Sequence, residues 1–185
     1  MPLLVVLAGP NGAGKSTFHR EIIEPVVDLP FINADEIARE RWPGRQEAHG
    51  YEAARVAQTN REAAFAAGSS FVTETVFSHA SKLDLIRDAR KIGYHVVLHV
   101  ILVPVAVCVA RVQLRVEQGE HSVPEEKIRS RYARLGPLLL EGLKAADEGY
   151  AYDNSNARHA YRLIAKYRGG TPEFEPQWPR WSPIR

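Results

Sequence analysis

The stretch Gly9-Pro10-Asn11-Gly12-Ala13-Gly14-Lys15-Ser16-Thr17 decides how this chain is read. It fits the pattern G-x-x-x-x-G-K-[ST], in which each position has a physical task. Gly9, Gly12 and Gly14 open backbone angles that other residues avoid, so successive N–H groups can curl around phosphate oxygens. Lys15 adds a point charge for the β- and γ-phosphates, and the Ser16 hydroxyl can hold Mg²⁺. The whole run, with Pro10, Asn11, Ala13 and Thr17 included, is the candidate nucleotide-binding segment. A helix is expected from Ser16 to about Ile23, with its positive end facing the anion.

The surroundings agree. Leu3-Leu4-Val5-Val6-Leu7 is a short apolar run that reads as a buried strand, so the glycine-rich turn sits between a strand and a helix. With 45% hydrophobic and 25% charged residues, the chain has the make-up of an ordinary globular domain. Its 185 residues suffice for one full-sized core. A net charge of +2 argues against a long polyanionic partner such as nucleic acid. The single cysteine, Cys108, excludes an intrachain disulfide and suits a reducing compartment. Leu3–Leu7 has no charged segment before it and is too short for a membrane span. The expectation is a soluble, cytoplasmic protein with no membrane partner.

Two carboxylates stand out downstream. Phe31-Ile32-Asn33 reads as a short strand leading into Asp35, which then stands at a strand's carboxyl end, the edge where open α/β sheets bind ligands. Asp35 also has the position of an N-cap for a helix through Arg41. The Ala- and Glu-rich segment from Glu47 to Ala67 is expected to be helical, with Gly68 as its stop. Ser70–Val76 reads as a strand carrying Glu74. That carboxylate either faces solvent on an alternating strand or is paired or metal-bound. Tyr94–Val103 is a further strand that puts His95 and His99 on one face. Without a third ligand nearby, these read as partly exposed strand histidines rather than a zinc site.

The remaining helices carry arginines. Ser81-Lys82-Leu83-Asp84 and Ser122-Val123-Pro124-Glu125 resemble capping boxes. Val105, Val109, Val112 and Val116 recur at helical spacing and are expected to pack inward. Arg111 and Arg115, four apart, share another face. A second helix with Arg129, Arg131 and Arg134 follows Gly119-Glu120-His121. The pair, over about 104–135, reads as an arginine-bearing lid, since arginine forks suit the charge that develops in phosphoryl transfer. Gly136-Pro137 is expected to interrupt or kink the next helix. Tyr161–Tyr167 reads as a last strand. The domain is thus drawn as 1–170, followed by a Pro- and Trp-rich tail, 171–185, expected to fold back and cover Trp178 and Trp181.

Taken together, these segments resemble the zeta-toxin-like P-loop kinases, in particular a short bacterial branch often labelled as ABC-type ATPases. The resemblance rests on Ala8–Phe18, Asn33-Ala34-Asp35-Glu36-Ile37, Glu74-Thr75-Val76-Phe77-Ser78, Arg111-Val112, Arg115-Val116, Gly119–Pro124, Arg131-Tyr132 and Tyr152-Asp153-Asn154-Ser155. It implies a three-layer α/β fold with a parallel sheet of about five strands in a P-loop kinase order. It implies transfer of the γ-phosphoryl group of ATP or GTP, with Mg²⁺, to a hydroxyl of a nucleotide sugar such as UDP-N-acetylglucosamine, and leaves room for toxicity and a protein antitoxin. Asp35 would take the acceptor's proton, and Glu74 would sit by the metal or the acceptor with Thr75. Arg111, with one of Arg115 or Arg131, would meet the transferred group. The alternatives are an ATPase without a small-molecule acceptor and a nucleotide-gated binding module. Neither a Leu-Ser-Gly-Gly-Gln signature nor a long apolar strand ending in Asp-Glu, which an ABC ATPase needs, occurs in the sequence.

Overall fold

Leu4 to Ala8 are all buried, the mark of a central strand covered by helices on both faces. In the computed structural model, which describes residues 1–117 and 123–184, this strand is β1 (Leu3–Ala8). It pairs in parallel with β3 (Phe71–Thr75) on one side and β4 (His95–Leu102) on the other. The short strand β2 (Phe31–Ile32) lies outside β3, and β5 (Glu148–Asp153) outside β4, both parallel to their neighbours. The five parallel strands are joined by two antiparallel ones, β6 (Arg162–Arg168) and β7 (Thr171–Pro172). The sheet order is β2-β3-β1-β4-β5-β6-β7. The chain leaves β1 for the β3 side and returns to the β4 side. The carboxyl end of β1 is therefore a topological switch point, where such sheets open a crevice.

Several local expectations need correction. The helix after the glycine-rich turn is α1 (Lys15–Phe18), which widens into a π-helical turn over His19–Ile23, closed by Glu24 N–H donating to the His19 carbonyl at 2.9 Å. The widening carries His19 onto the Phe31 ring at 3.8 Å. Asp35 does not cap α2 (Ala34–Arg41). Asn33 does, its Oδ1 accepting from the Asp35 and Glu36 N–H groups. An uncharged amide suffices there, which leaves the Asp35 carboxylate exposed in the first turn.

No capping box forms at Ser81. Helix α4 (Ser81–Lys91) has Ala80 at its cap, and the His79 ring accepts the Ser81 N–H at 3.2 Å instead. Helix α3 (Gly50–Ala66) lies within the expected segment, and α5 (Val105–Glu117) buries Val109 and Val112, while Val116 is exposed. The segment Gly119-Glu120-His121 and Ser122 of the second capping box lie outside the described residues.

Gly136-Pro137 falls in the first turn of α7 (Leu135–Ala145), just after α6 (Glu125–Ala133). There the missing proline N–H costs nothing. Gly136 is required by close packing: a Cβ would lie 1.9 Å from the Pro183 carbonyl oxygen. The tail crosses the domain at this point. Its Gln177 N–H donates to Ile164 at 2.7 Å, Ile184 is buried, and Trp178 and Trp181 pack against the core.

Both strand histidines are partly exposed, as expected, but their surroundings differ. His95 stays partly exposed beside Glu148, 3.4 Å away. His99 is enclosed by Phe18, Tyr150 and Tyr152, and burial pushes its pKa down to about 4.

Candidate active site at the carboxyl edge of the sheet

The turn between β1 and α1 closes through backbone angles that demand glycine. Gly12 and Gly14 have φ of 76° and 95°. A Cβ on Gly9 would meet the Ile101 carbonyl oxygen at 2.1 Å, and one on Gly14 the Asn154 amide nitrogen at 2.7 Å. The loop is thus wedged between β4 and the segment after β5. That outer wall was not legible as functional. Asn154, buried, donates from Nδ2 to the Ala13 carbonyl at 2.8 Å, and Tyr161 donates from its hydroxyl to the Gly14 carbonyl at 3.0 Å. Ala13 N–H closes the turn by donating to the Pro10 carbonyl at 3.2 Å, and with the Ala13 and Gly14 carbonyls held from outside the concave side is left to the other loop N–H groups.

Lys15 is 5% exposed. Its ammonium donates to the Pro10 carbonyl at 3.0 Å and lies 3.4 Å from Glu74 Oε1. The Ser16 hydroxyl donates to Glu74 Oε2 at 2.8 Å. Asn33 Nδ2 donates to the same oxygen at 2.9 Å. Glu74 is therefore paired, which decides between its two sequence readings: it faces the phosphate loop. Asn33 is the residue the sequence reading left without a role. Its amide nitrogen fixes Glu74 while its oxygen caps α2 at the first turn that bears Asp35. One side chain thus ties the Glu74 carboxylate to the backbone of the turn that bears Asp35. Thr75 is partly exposed beside Glu74, and its Oγ1 accepts the Phe77 N–H at 3.2 Å.

The arginines divide by reach. Arg111 donates to the Gly12 carbonyl at 3.3 Å and the Asn154 carbonyl at 3.1 Å, so it buttresses the loop. Arg131 donates to Asn11 Oδ1 at 3.3 Å. Burial lowers its pKa, Arg134 adds to that, and the Asp35 carboxylate opposes it. A guanidinium so placed stays charged; it touches the phosphate loop at Asn11 and feels the field of the Asp35 carboxylate. Arg115 is exposed, one helical turn beyond Arg111.

Residues 4–138 match the family model described as an AAA domain. The chain belongs to this AAA domain family. No curated protein matches this AAA-domain chain significantly. Among solved structures it is similar to the AvrRxo1-ORF1:-ORF2 complex with ATP, with a TM-score of 0.73 and 16% identity over 95% of this chain and 61% of that one. It is also similar to a structure from the PezAT chromosomal toxin–antitoxin system of Streptococcus pneumoniae, with a TM-score of 0.63 and 16% identity over 90% of this chain and 72% of that one. A candidate kinase from Chloroflexus aurantiacus gives a TM-score of 0.65 and 17% identity over 85% of this chain and 90% of that one. The AAA-domain chain thus spans about three fifths of the AvrRxo1 protein's length. At these identities the likeness is one of fold, and that fold is the P-loop kinase type that the resemblance to zeta-toxin-like proteins implies.

The site's donors fit a magnesium triphosphate. The Ser16 hydroxyl and Glu74 carboxylate, 2.8 Å apart, are hard oxygen ligands of the kind Mg²⁺ takes alongside phosphate oxygens. Lys15 and the glycine cradle match a polyphosphate. No helix among the described residues is long and apolar enough to cross a membrane.

Proposed function

We propose that this protein is a small-molecule kinase that transfers the γ-phosphoryl group of ATP or GTP to a hydroxyl of a nucleotide sugar, with UDP-N-acetylglucosamine as the leading candidate. The observation that carries this reading is the linked row Lys15–Glu74–Asn33–Asp35, which joins a phosphate cradle after β1 to the turn bearing an exposed carboxylate after β2, two strands away.

The roles follow from position. The glycine cradle and Lys15 hold the β- and γ-phosphates. Ser16 and Glu74 would hold Mg²⁺, which when bound neutralises phosphate charge. Asp35 orients the acceptor hydroxyl and accepts its proton as the acceptor oxygen bonds to phosphorus and the bond to the β-phosphate oxygen breaks. Glu74 and Thr75 border the acceptor's place. Arg131, bonded to Asn11 of the phosphate loop and within the field of Asp35, is the arginine best placed to stabilise the transferred group. Arg111 is assigned to holding the loop with secondary influence on the phosphates, and Arg115 to a lesser part.

A cytoplasmic location, toxicity and a protein antitoxin belong to the same proposal. The last two are supported by the likeness to a fold from a toxin–antitoxin system. The test is incubation with γ-labelled ATP and a metabolite pool. A labelled nucleotide sugar is expected. Release of phosphate alone would favour an ATPase, and no label transfer or release would favour a nucleotide-gated binding module.

A further inference from the structure

The α2–α3 hairpin holds a second concavity that the phosphate chemistry does not use. A cavity of about 400 Å³ lies between the end of α2 and the first half of α3, lined by Arg41, Trp42, Glu52, Arg55, Thr59 and Asn60. That volume falls within the range of small-molecule sites, about 300–1,000 Å³. With Val56 also in the wall, its chemistry is an indole, one aliphatic side chain, two guanidiniums, one carboxylate and two neutral polar groups.

Trp42 is held in place from behind. The His49 ring stacks on it at 4.8 Å with 5° between the planes, so a ring entering the cavity has the opposite indole face to stack on. Neither Arg41 nor Arg55 has a carboxylate within ion-pair distance among the described residues. The one carboxylate of the cavity, Glu52, leans instead toward His49 at 3.6 Å. Both His49 ring nitrogens are buried without a hydrogen-bond partner. A buried polar group left unbonded is costly, and a ligand donor or acceptor reaching the Glu52–His49 pair would relieve that cost. Two uncommitted arginine forks beside an aromatic platform are the features that recognise a planar base joined to phosphate.

Helix α2 relates this cavity to the reaction. Asp35 lies in its first turn and Arg41 in its last, six residues or about 9 Å along the axis. That gap leaves room for a sugar and a phosphate linker between the attacking hydroxyl and a distal base.

We propose that this cavity binds the nucleotide end of the acceptor, with the base on the open face of Trp42 and its phosphates on Arg41 and Arg55. The assignment rests on the reading of Asp35 as the acceptor-side base. It would make Trp42, Arg41 and Arg55 the residues that set acceptor class, and Asp35 the one that acts on the hydroxyl.

The test separates binding from transfer. UMP, CMP, AMP and GMP are titrated calorimetrically into Lys15→Ala protein, in which the phosphate loop is weakened. At least one is expected to bind, and Trp42→Ala and Arg55→Ala should each weaken it by roughly tenfold or more, the scale of one base stack or one phosphate contact. Trp42→Phe should retain most of the affinity, which guards against loss of fold as the cause. Arg55 is exposed, so its substitution leaves the core intact. In transfer assays, Arg55→Ala should raise KM for the nucleotide sugar and leave KM for ATP unchanged. Failure of every mononucleotide to bind, or binding indifferent to both Trp42 and Arg55, would overturn the proposal. Trp42-dependent binding in a protein that phosphorylates no acceptor would keep the cavity as a mononucleotide site but overturn its assignment to an acceptor, together with the kinase reading. Transfer to a nucleotide sugar with KM untouched by both substitutions would remove the cavity assignment and keep the kinase.

Discussion

Asn33 shows how much one side chain can hold. Asn33→Ala removes the α2 cap, at a cost of about 1 kcal/mol, and also releases Glu74 from its amide. The expected outcome is a melting temperature lower by several degrees together with a higher Mg²⁺ requirement for transfer. An alanine variant that melted normally and titrated Mg²⁺ normally would deny Asn33 both roles. Among the arginines, Arg131→Ala is expected to lower kcat by roughly 10²-fold or more, on the scale of transition-state arginines and oxyanion donors. Arg115→Ala is expected to have a much smaller effect. Single-turnover rates with saturating ATP would rank them. The glycines, Lys15 and Ser16 were legible because their spacing is dictated by phosphate. Asn33 was not, since a cap and a carboxylate clamp leave no spacing signature, and Asp35 two residues on offered an equally good cap by composition.

At the scale of elements, β4 carries a pH-dependent contribution to stability. His99 is neutral in the fold because burial among Phe18, Tyr150 and Tyr152 lowers its pKa to about 4. In the unfolded chain it titrates near 6.5. Between these values the unfolded state binds more protons, so stability rises with pH. The contribution is complete above about pH 6.5 and is lost as pH falls toward 4, a change on the order of 2–3 kcal/mol. Thermal melts between pH 7 and 4.5 should show it, and His99→Phe should flatten the decline. A slope unchanged by that substitution would place the acid sensitivity elsewhere. The alternation of β4 was readable, and with it the shared face of the two histidines. That His99 would be roofed by rings from α1 and β5 depends on strand order, which no local window contains. The π-helical turn at His19 was hidden for the same reason: it answers to Phe31, on another element.

For the whole molecule, the tail is part of the fold. Removing residues 171–184 would uncover Trp178, Trp181 and the site of Ile184. It is expected to lower the melting temperature markedly and to promote aggregation. Gly136→Ala tests the same seam with one methyl group, which would overlap the Pro183 carbonyl and displace the tail. Denaturant melts of the two variants should agree in direction, and wild-type stability in both would make the tail an appendage. The strands β1, β3 and β4 were readable from their apolar and alternating runs, and their parallel arrangement from the resemblance to the P-loop kinases. β6 was readable as a strand, but its antiparallel pairing and β7 were not, because β7 is two residues long and the bulge between Ala151 and Tyr152 breaks the pattern that would announce the pairing.

All three scales meet at the space between the phosphate cradle and α2, where a proton and a phosphoryl group are held to change places. Single-turnover phosphoryl transfer to the nucleotide sugar identified by labelling, compared in wild-type and Asp35→Ala protein with ATP affinity measured in parallel, tests this most directly. The expected result is a loss of transfer of roughly 10²–10⁴-fold, the scale of a general base, with ATP affinity within a few-fold of wild type. Near-normal transfer by Asp35→Ala would contradict it.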